Sequence, residues 1–193
     1  MREILDAASV TRGLRRVAGE ILERHKSSSN LVLIGVRRGG VPLCQELVRW
    51  MRELEGMDVL TGTVDITLYR DDAASALPNP RIGPSEIPCS LEGKRVVLVD
   101  DVCFTGRTVR AAIDAVMDYG RPRRIELAVL IDRGGRELPI QPDYCVRQVE
   151  VEDAERVDVI AEGGGLRAVV QSSDAPSVPP AQLAQARTES DPT

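Results

Sequence analysis

The feature that most constrains this chain is the stretch Val96-Val97-Leu98-Val99-Asp100-Asp101-Val102-Cys103-Phe104-Thr105-Gly106-Arg107-Thr108. Its opening run, Val96 to Val99, is uninterrupted apolar and reads as a strand buried on both faces, which in practice means a parallel sheet covered by helices. The strand ends in two carboxylates. A turn with threonines, glycine and arginine follows, and then Val109, Ala112, Ile113 and Val116 recur at helical spacing, with Gly120 placed to cap that helix. The same alternation recurs on both sides. Val10, Leu14, Val17, Ile21 and Leu22 mark a helix, Leu31 to Ile34 a buried strand, Gly35 to Gly40 a glycine-rich turn, and Leu43, Leu47, Trp50, Met51 and Leu54 a second helix. Val64, Ile66 and Leu68 alternate with polar residues as in a half-exposed strand. Ile125 to Ile131 read as another strand, and shorter β-like runs follow at 144–149, 157–160 and 168–170. Strands alternating with helices predict an α/β fold around a mainly parallel central sheet.

Two stretches fall outside this rhythm. Residues 71–90 hold Pro78, Pro80, Pro84 and Pro88 with little periodicity, and a loop this long inside one domain often serves an active site. From residue 172 the composition turns to Ser, Pro, Ala, Gln and Thr, so 1–171 is expected to form the domain and 172–193 a disordered tail.

A length of 193 residues allows one domain with a substantial core. With 42% hydrophobic and 28% charged residues, the chain has a globular composition. No apolar run approaches the ~20 residues needed to cross a bilayer, and the N-terminus lacks the apolar core of a signal peptide. The net charge of −5 argues against a protein that works mainly by nonspecific nucleic-acid binding. Cys44, Cys89, Cys103 and Cys145 are scattered, with no C-x-x-C pair, so neither zinc nor a dithiol site is signalled, and a reducing cytoplasm is expected. His25 is the only histidine. It precedes the polar Ser27-Ser28-Ser29-Asn30 turn and reads as a solvated surface residue. A lone histidine also leaves little room for Ser-His-Asp chemistry.

Ligands of open α/β sheets bind beyond the carboxyl ends of the strands. The free N–H groups and dipole of a helix N-terminus attract a phosphate there. Gly106 allows close backbone approach, and Thr105 and Thr108 can donate hydroxyl hydrogen bonds. Asp100 and Asp101 would repel a phosphate and are better suited to ribose hydroxyls or a bound Mg²⁺. The stretch therefore reads as a cradle for a ribose phosphate. It contains neither a G-x-x-x-x-G-K-[ST] loop nor a G-x-G-x-x-G fingerprint.

This stretch resembles the PRPP-binding signature of type I phosphoribosyltransferases. Asp65 to Asp72, Thr105 to Ala112, Asp118 to Pro122, and Asp132-Arg133-Gly134 followed by Arg136 to Ile140 extend the likeness to the PyrR family over roughly residues 2–170. The resemblance implies a type I phosphoribosyltransferase fold with a flexible loop and a small hood. It implies transfer of ribose 5-phosphate from PRPP to uracil, giving UMP and pyrophosphate, with Mg²⁺ carried on PRPP and not by direct side-chain ligation. By the same resemblance Asp100, Asp101 and Arg70 are catalytic, and Arg81 belongs to the flexible loop. Arg37, Arg38 and Gly39 fall in the pyrophosphate loop. Val102, Cys103, Phe104, Thr105, Gly106, Arg107 and Thr108 bind PRPP or UMP, with Thr105 to Thr108 holding the 5-phosphate, and Asp132 and Arg133 lie at the base.

The family also implies regulation, through an mRNA hairpin of pyrimidine operons bound in response to UMP or UTP, and a homodimer or larger homo-oligomer. Arg12, Arg15, Arg16, Arg136 and Arg147 are the candidates for RNA contacts. The chain departs from the family at Arg38-Gly39, at Phe104 where tyrosine is common, at Gly19 and Gly135 where RNA-binding members often carry histidine, and at Gln141 in place of a basic residue, which leaves open two alternatives, a nucleotide-sensing RNA attenuator with little catalysis and a transferase that has lost RNA binding.

Overall fold

The computed structural model describes residues 1–71, 83–162 and 165–174. The expected flexible loop with Arg81 lies largely outside the described residues, as does most of the expected tail. In chain order the elements are β1 (Arg2–Leu5), α1 (Ala7–Arg24), β2 (Leu31–Val36), α2 (Gly40–Glu55), β3 (Leu60–Val64), a 3-10 turn (Thr67–Tyr69), β4 (Arg95–Cys103), α3 (Arg107–Met117), β5 (Arg124–Asp132), β6 (Tyr144–Gln148), β7 (Glu155–Glu162) and β8 (Gly165–Ser172).

Strands β3, β2, β4, β5 and β6 form, in that order, a five-stranded parallel sheet. Its central strands are apolar on both faces because both faces are covered. Leu31, Leu33, Val97 and Val99 face α1 and α2, where Leu14, Val17, Ile21, Leu43, Leu47 and Met51 complete one core. The alternate residues Val32, Ile34, Val96 and Leu98 face α3, where Val109, Ala112 and Val116 complete the other. Each such fully buried aliphatic side chain contributes about 1.5–3 kcal/mol by leaving water.

Local signals set the ends of the helices. Asp6 caps α1 by accepting a hydrogen bond from Ser9 N–H at 2.6 Å, and α2 stops at Gly56, whose φ of 64° is left-handed. On the outer surface of α1 and α2, Trp50 lies between the guanidinium groups of Arg15 and Arg49, 5.4 and 4.3 Å from the ring centre. A second, antiparallel sheet of order β1-β8-β7 joins both ends of the described chain and forms the small hood.

Several expectations need correction. His25 is not solvated. It is 2% exposed, and its Nε2 lies 2.6 Å from Glu126 Oε2. Tyr144 donates to the same oxygen at 3.0 Å, and Arg124 and Arg24 reach Oε1 at 2.9 and 3.4 Å. The strand expected through Leu68 ends at Val64, because Asp65 accepts from Thr67 N–H and bends the chain into the 3-10 turn, leaving Leu68 exposed. Helix α3 is capped at Asp118, and Gly120 lies two residues further on. Strand β8 runs to Ser172, one residue into the segment expected to be tail.

Candidate active site

Strand β4 does not stop at its carboxylates. It continues to Cys103, so Asp100 and Asp101 sit inside the sheet ladder, with Asp100 opposite Val129 of β5. That placement fixes their backbone far more firmly than a turn would. Asp100 is 4% exposed, and its Oδ1 accepts from Asp101 N–H at 3.0 Å. Asp101 Oδ1 accepts from Val102 N–H at 2.8 Å. Burial, and then the neighbouring Asp101 charge, push the Asp100 carboxyl well above the usual range. Burial also raises Asp101, against the opposing pull of the Val102 N–H. Among the described residues neither of these crowded acids has a cationic partner, and a polyhydroxylated or cation-bearing ligand placed there would relieve them.

The first glycine turn closes over them. An added Cβ on Gly39 would stand 2.0 Å from Asp101 Oδ2, and one on Gly40 would stand 1.9 Å from the Val99 carbonyl. Only glycine lets this turn approach the acid pair. The Arg37–Arg38 peptide is cis. Arg38 is exposed, whereas Arg37 turns toward Asp65, whose Oδ2 accepts from Gly83 N–H at 2.8 Å. Burial raises the Asp65 carboxyl, but its hydrogen bonds from Thr67 and Gly83, with Arg37 nearby, bring the net position below the usual range. Asp65 thus organises the junction of two loops, a role with no signal beyond its place in the Asp65 to Asp72 motif.

Beyond β4, Phe104, Thr105 and Gly106 form the loop expected to hold an anion, called the anion loop below, with Gly106 at φ 90° leading into α3. Arg133 N–H donates to the Cys103 carbonyl at 3.1 Å, and Glu137 and Leu138 N–H donate to the Thr105 carbonyl at 3.0 and 3.2 Å. A peptide's C=O and N–H point in opposite directions. With these carbonyls turned toward 133–138, the following N–H groups face the other way and are available to an anion. Thr105 Oγ1 accepts from Arg107 N–H at 3.3 Å. Val102 and Thr108 are half-buried at either end of the loop, and Arg70 is exposed at the end of the 3-10 turn. Asp132, expected near the base, accepts from Gly134 N–H at 3.0 Å and from Arg136 at 2.6 Å. The Arg133 guanidinium stacks 3.9 Å over the Phe104 ring, and a Cβ on Gly135 would meet that ring at 2.3 Å. Gly135 therefore leaves room for an aromatic ring at position 104.

The arginines expected on an RNA face divide into two groups. Arg136 is turned inward, donating to the Phe104, Gly134 and Ile140 carbonyls at 2.7, 3.0 and 2.9 Å as well as to Asp132. Its reach is used up in shaping the anion loop, which corrects the expectation of a surface contact. Arg16 donates to the Cys145 and Val146 carbonyls at 2.9 and 3.0 Å, and Arg147 to the Ile4 carbonyl at 3.1 Å. Arg12 contacts Ser9, and Arg15 lies over Trp50; both stay on the outer surface of α1.

Solved phosphoribosyltransferases share this architecture. A hypoxanthine phosphoribosyltransferase from Staphylococcus aureus superposes with a TM-score of 0.62 over 81% of this chain and 80% of that one, at 15% identity. The hypoxanthine enzyme of Trypanosoma cruzi gives 0.63 over 78% of each chain, at 22% identity. At such identities the likeness is one of fold. Closer in sequence is the bifunctional protein PyrR of Geobacter sulfurreducens, 57% identical over 157 residues, 81% of this chain and 89% of that protein. The protein of the same name from Deinococcus deserti is 51% identical over 156 residues, 81% of this chain and 85% of that one. The family model of the phosphoribosyl transferase domain matches residues 1–171. With an acid pair on β4, an anion loop opening α3 and a glycine turn packed against both, this chain belongs to the PyrR family of type I phosphoribosyltransferases.

Proposed function

We propose that the chain is a uracil phosphoribosyltransferase, converting uracil and PRPP to UMP and pyrophosphate. The observation that carries this reading is the Asp100–Asp101 pair, Asp100 buried and Asp101 half-buried, directly beside the Phe104–Gly106 loop, in a chain of the PyrR family. The loop N–H groups and threonine hydroxyls hold the ribose phosphate. Asp100 and Asp101 accept from the ribose hydroxyls and offset the positive charge that develops on the ribose ring as the pyrophosphate leaves. The Gly39–Gly40 turn, with Arg38 beside it, takes the pyrophosphate, and Arg70 and Arg81 approach it from the loop side. Two crowded carboxylates suit a substrate that arrives with Mg²⁺, and that ion draws charge from the leaving pyrophosphate. Backbone groups near Leu130 to Arg133 read the base.

The test is UMP formation from uracil and PRPP with Mg²⁺, with hypoxanthine and guanine run in parallel. Turnover of uracil alone is expected, and turnover of a purine base alone would overturn the reading.

The regulatory half of the proposal is that UMP or UTP controls binding to an mRNA hairpin of pyrimidine genes. The double role in the name of the relatives and the outward Arg12 and Arg15 support it. Replacing both arginines with alanine should weaken RNA binding and spare UMP synthesis; equal binding would remove α1 from the RNA face. A homo-oligomer in the cytoplasm fits this reading, and light scattering on the purified chain measures the assembly. Among the described residues no helix is long and apolar enough to cross a membrane.

A further inference from the structure

Three chain segments meet at one side chain of the anion loop. Arg107 donates from Nε to Glu137 at 2.6 Å and from a terminal nitrogen to Asp71 at 2.8 Å. The other oxygen of Asp71 accepts from Arg110 at 2.7 Å, and the same Arg110 nitrogen donates to the Tyr69 carbonyl at 2.6 Å. Asp71 follows the 3-10 turn, Arg107 opens α3, and Glu137 belongs to the connection from β5 to β6 whose N–H groups bind the Thr105 carbonyl. We propose that Asp71 and Glu137 are positioning residues for the transferase reaction, acting through Arg107 to hold the anion loop, and that the Arg107 guanidinium is not itself a phosphate ligand.

The charge balance supports this assignment. Arg107 and Arg110 face three carboxylates, those of Asp71, Glu137 and Asp114, so the group as a whole offers an arriving phosphate no net positive charge. Attraction then falls to the loop N–H groups, whose direction is fixed by the carbonyls that 133–138 holds. The Arg107, Asp71 and Glu137 side chains are 52%, 44% and 50% exposed, so their pairing adds little to global stability. Its effect is on where the loop sits. Glu137 is tied twice to that loop, by its own N–H to Thr105 and by its carboxylate to Arg107.

The inference rests on reading this loop as the ribose-phosphate site, and the two are separable by experiment. The double variant Asp71→Asn, Glu137→Gln is compared with the unmodified full-length chain for KM for PRPP, kcat, thermal midpoint and amide exchange without ligand. If the pair positions the loop, KM for PRPP rises about fivefold while kcat and the thermal midpoint stay put. The Glu137 and Leu138 amides then exchange faster. If Arg107 were a phosphate ligand restrained by two carboxylates, freeing it would lower KM, and that opposite sign would overturn the proposal. An unchanged KM, with unchanged exchange, would do so as well. Should the unmodified chain make no UMP, the functional reading fails, while amide exchange still decides the positioning role. Glu137→Gln alone serves as the second variant and should show a smaller change of the same sign.

Discussion

Two buried acid centres occupy opposite ends of the same parallel sheet, and they are built in opposite ways. At the amino end, Glu126 is surrounded by His25, Tyr144, Arg24 and Arg124. Burial alone would raise its carboxyl, but hydrogen bonds from His25 and Tyr144 bring it below its usual range. At the carboxyl end, Asp100 and Asp101 have, among the described residues, only backbone donors and each other, and both are raised. One centre is satisfied by the fold. The other is left unsatisfied, which is what the proposed ribose-phosphate site needs. A buried acid with every partner in place supports stability, whereas one denied partners at the strand ends marks the place of chemistry.

Substitutions can break this contrast in graded steps. Asp101→Asn should have the largest effect, lowering kcat/KM for UMP formation by about 100-fold or more, since it removes charge that acts on the transition state. An unchanged kcat/KM would take Asp101 out of the reaction. Next, Glu126→Gln breaks a buried charge cluster and should destabilise the fold by about 3 kcal/mol, a drop of about 6–12 °C in thermal midpoint. Turnover at low temperature should be nearly unaffected.

Asp100→Asn should act in the other direction on stability. In the unmodified chain the raised Asp100 stabilises fully below the unfolded value of 3.8, and that contribution is lost as pH rises through the folded value. Asparagine escapes the loss, so at neutral pH the variant should gain about 1 kcal/mol while turnover falls. The gain should shrink as pH is lowered toward 3.8, and thermal melts across pH check the slope. The smallest effect is expected for Arg124→Ala. Arg124 is 57% exposed and Arg24 remains beside Glu126, so the loss should stay below about 1 kcal/mol.

The carboxyl-end centre was legible in sequence and the amino-end centre was not. Asp100, Asp101 and the anion loop are contiguous, and strand-to-helix transitions carry their own pattern, so order along the chain is also order in space. Even there, the sequence marked Asp100–Asp101 as the strand's end, because Val102 and Cys103 were grouped with the turn, whereas pairing with β5 carries the strand to Cys103. His25 and Glu126 stand 101 residues apart, and nothing local marks either as a partner. A histidine beside a serine-rich turn reads as surface until the start of β5 is brought beneath it. Arg136 shows the same limit. Its charge was visible, but two of the carbonyls that turn it inward, those of Cys103 and Phe104, come from β4 and the loop beyond. The Val64, Ile66 and Leu68 alternation misled because a period of two says nothing about where Asp65 redirects the chain.

The placement of Trp50 gives the molecule an optical property. It is the chain's only tryptophan, and it lies between two arginines on α2, ten residues from Gly40 and so about 15 Å along the helix from the glycine turn. Indole emission will therefore follow separation of the α1–α2 layer during unfolding and will be nearly silent when nucleotides fill the strand ends. Ligand titrations need another signal, and a tryptophan introduced at Phe104, already against the Arg133 guanidinium, would supply one.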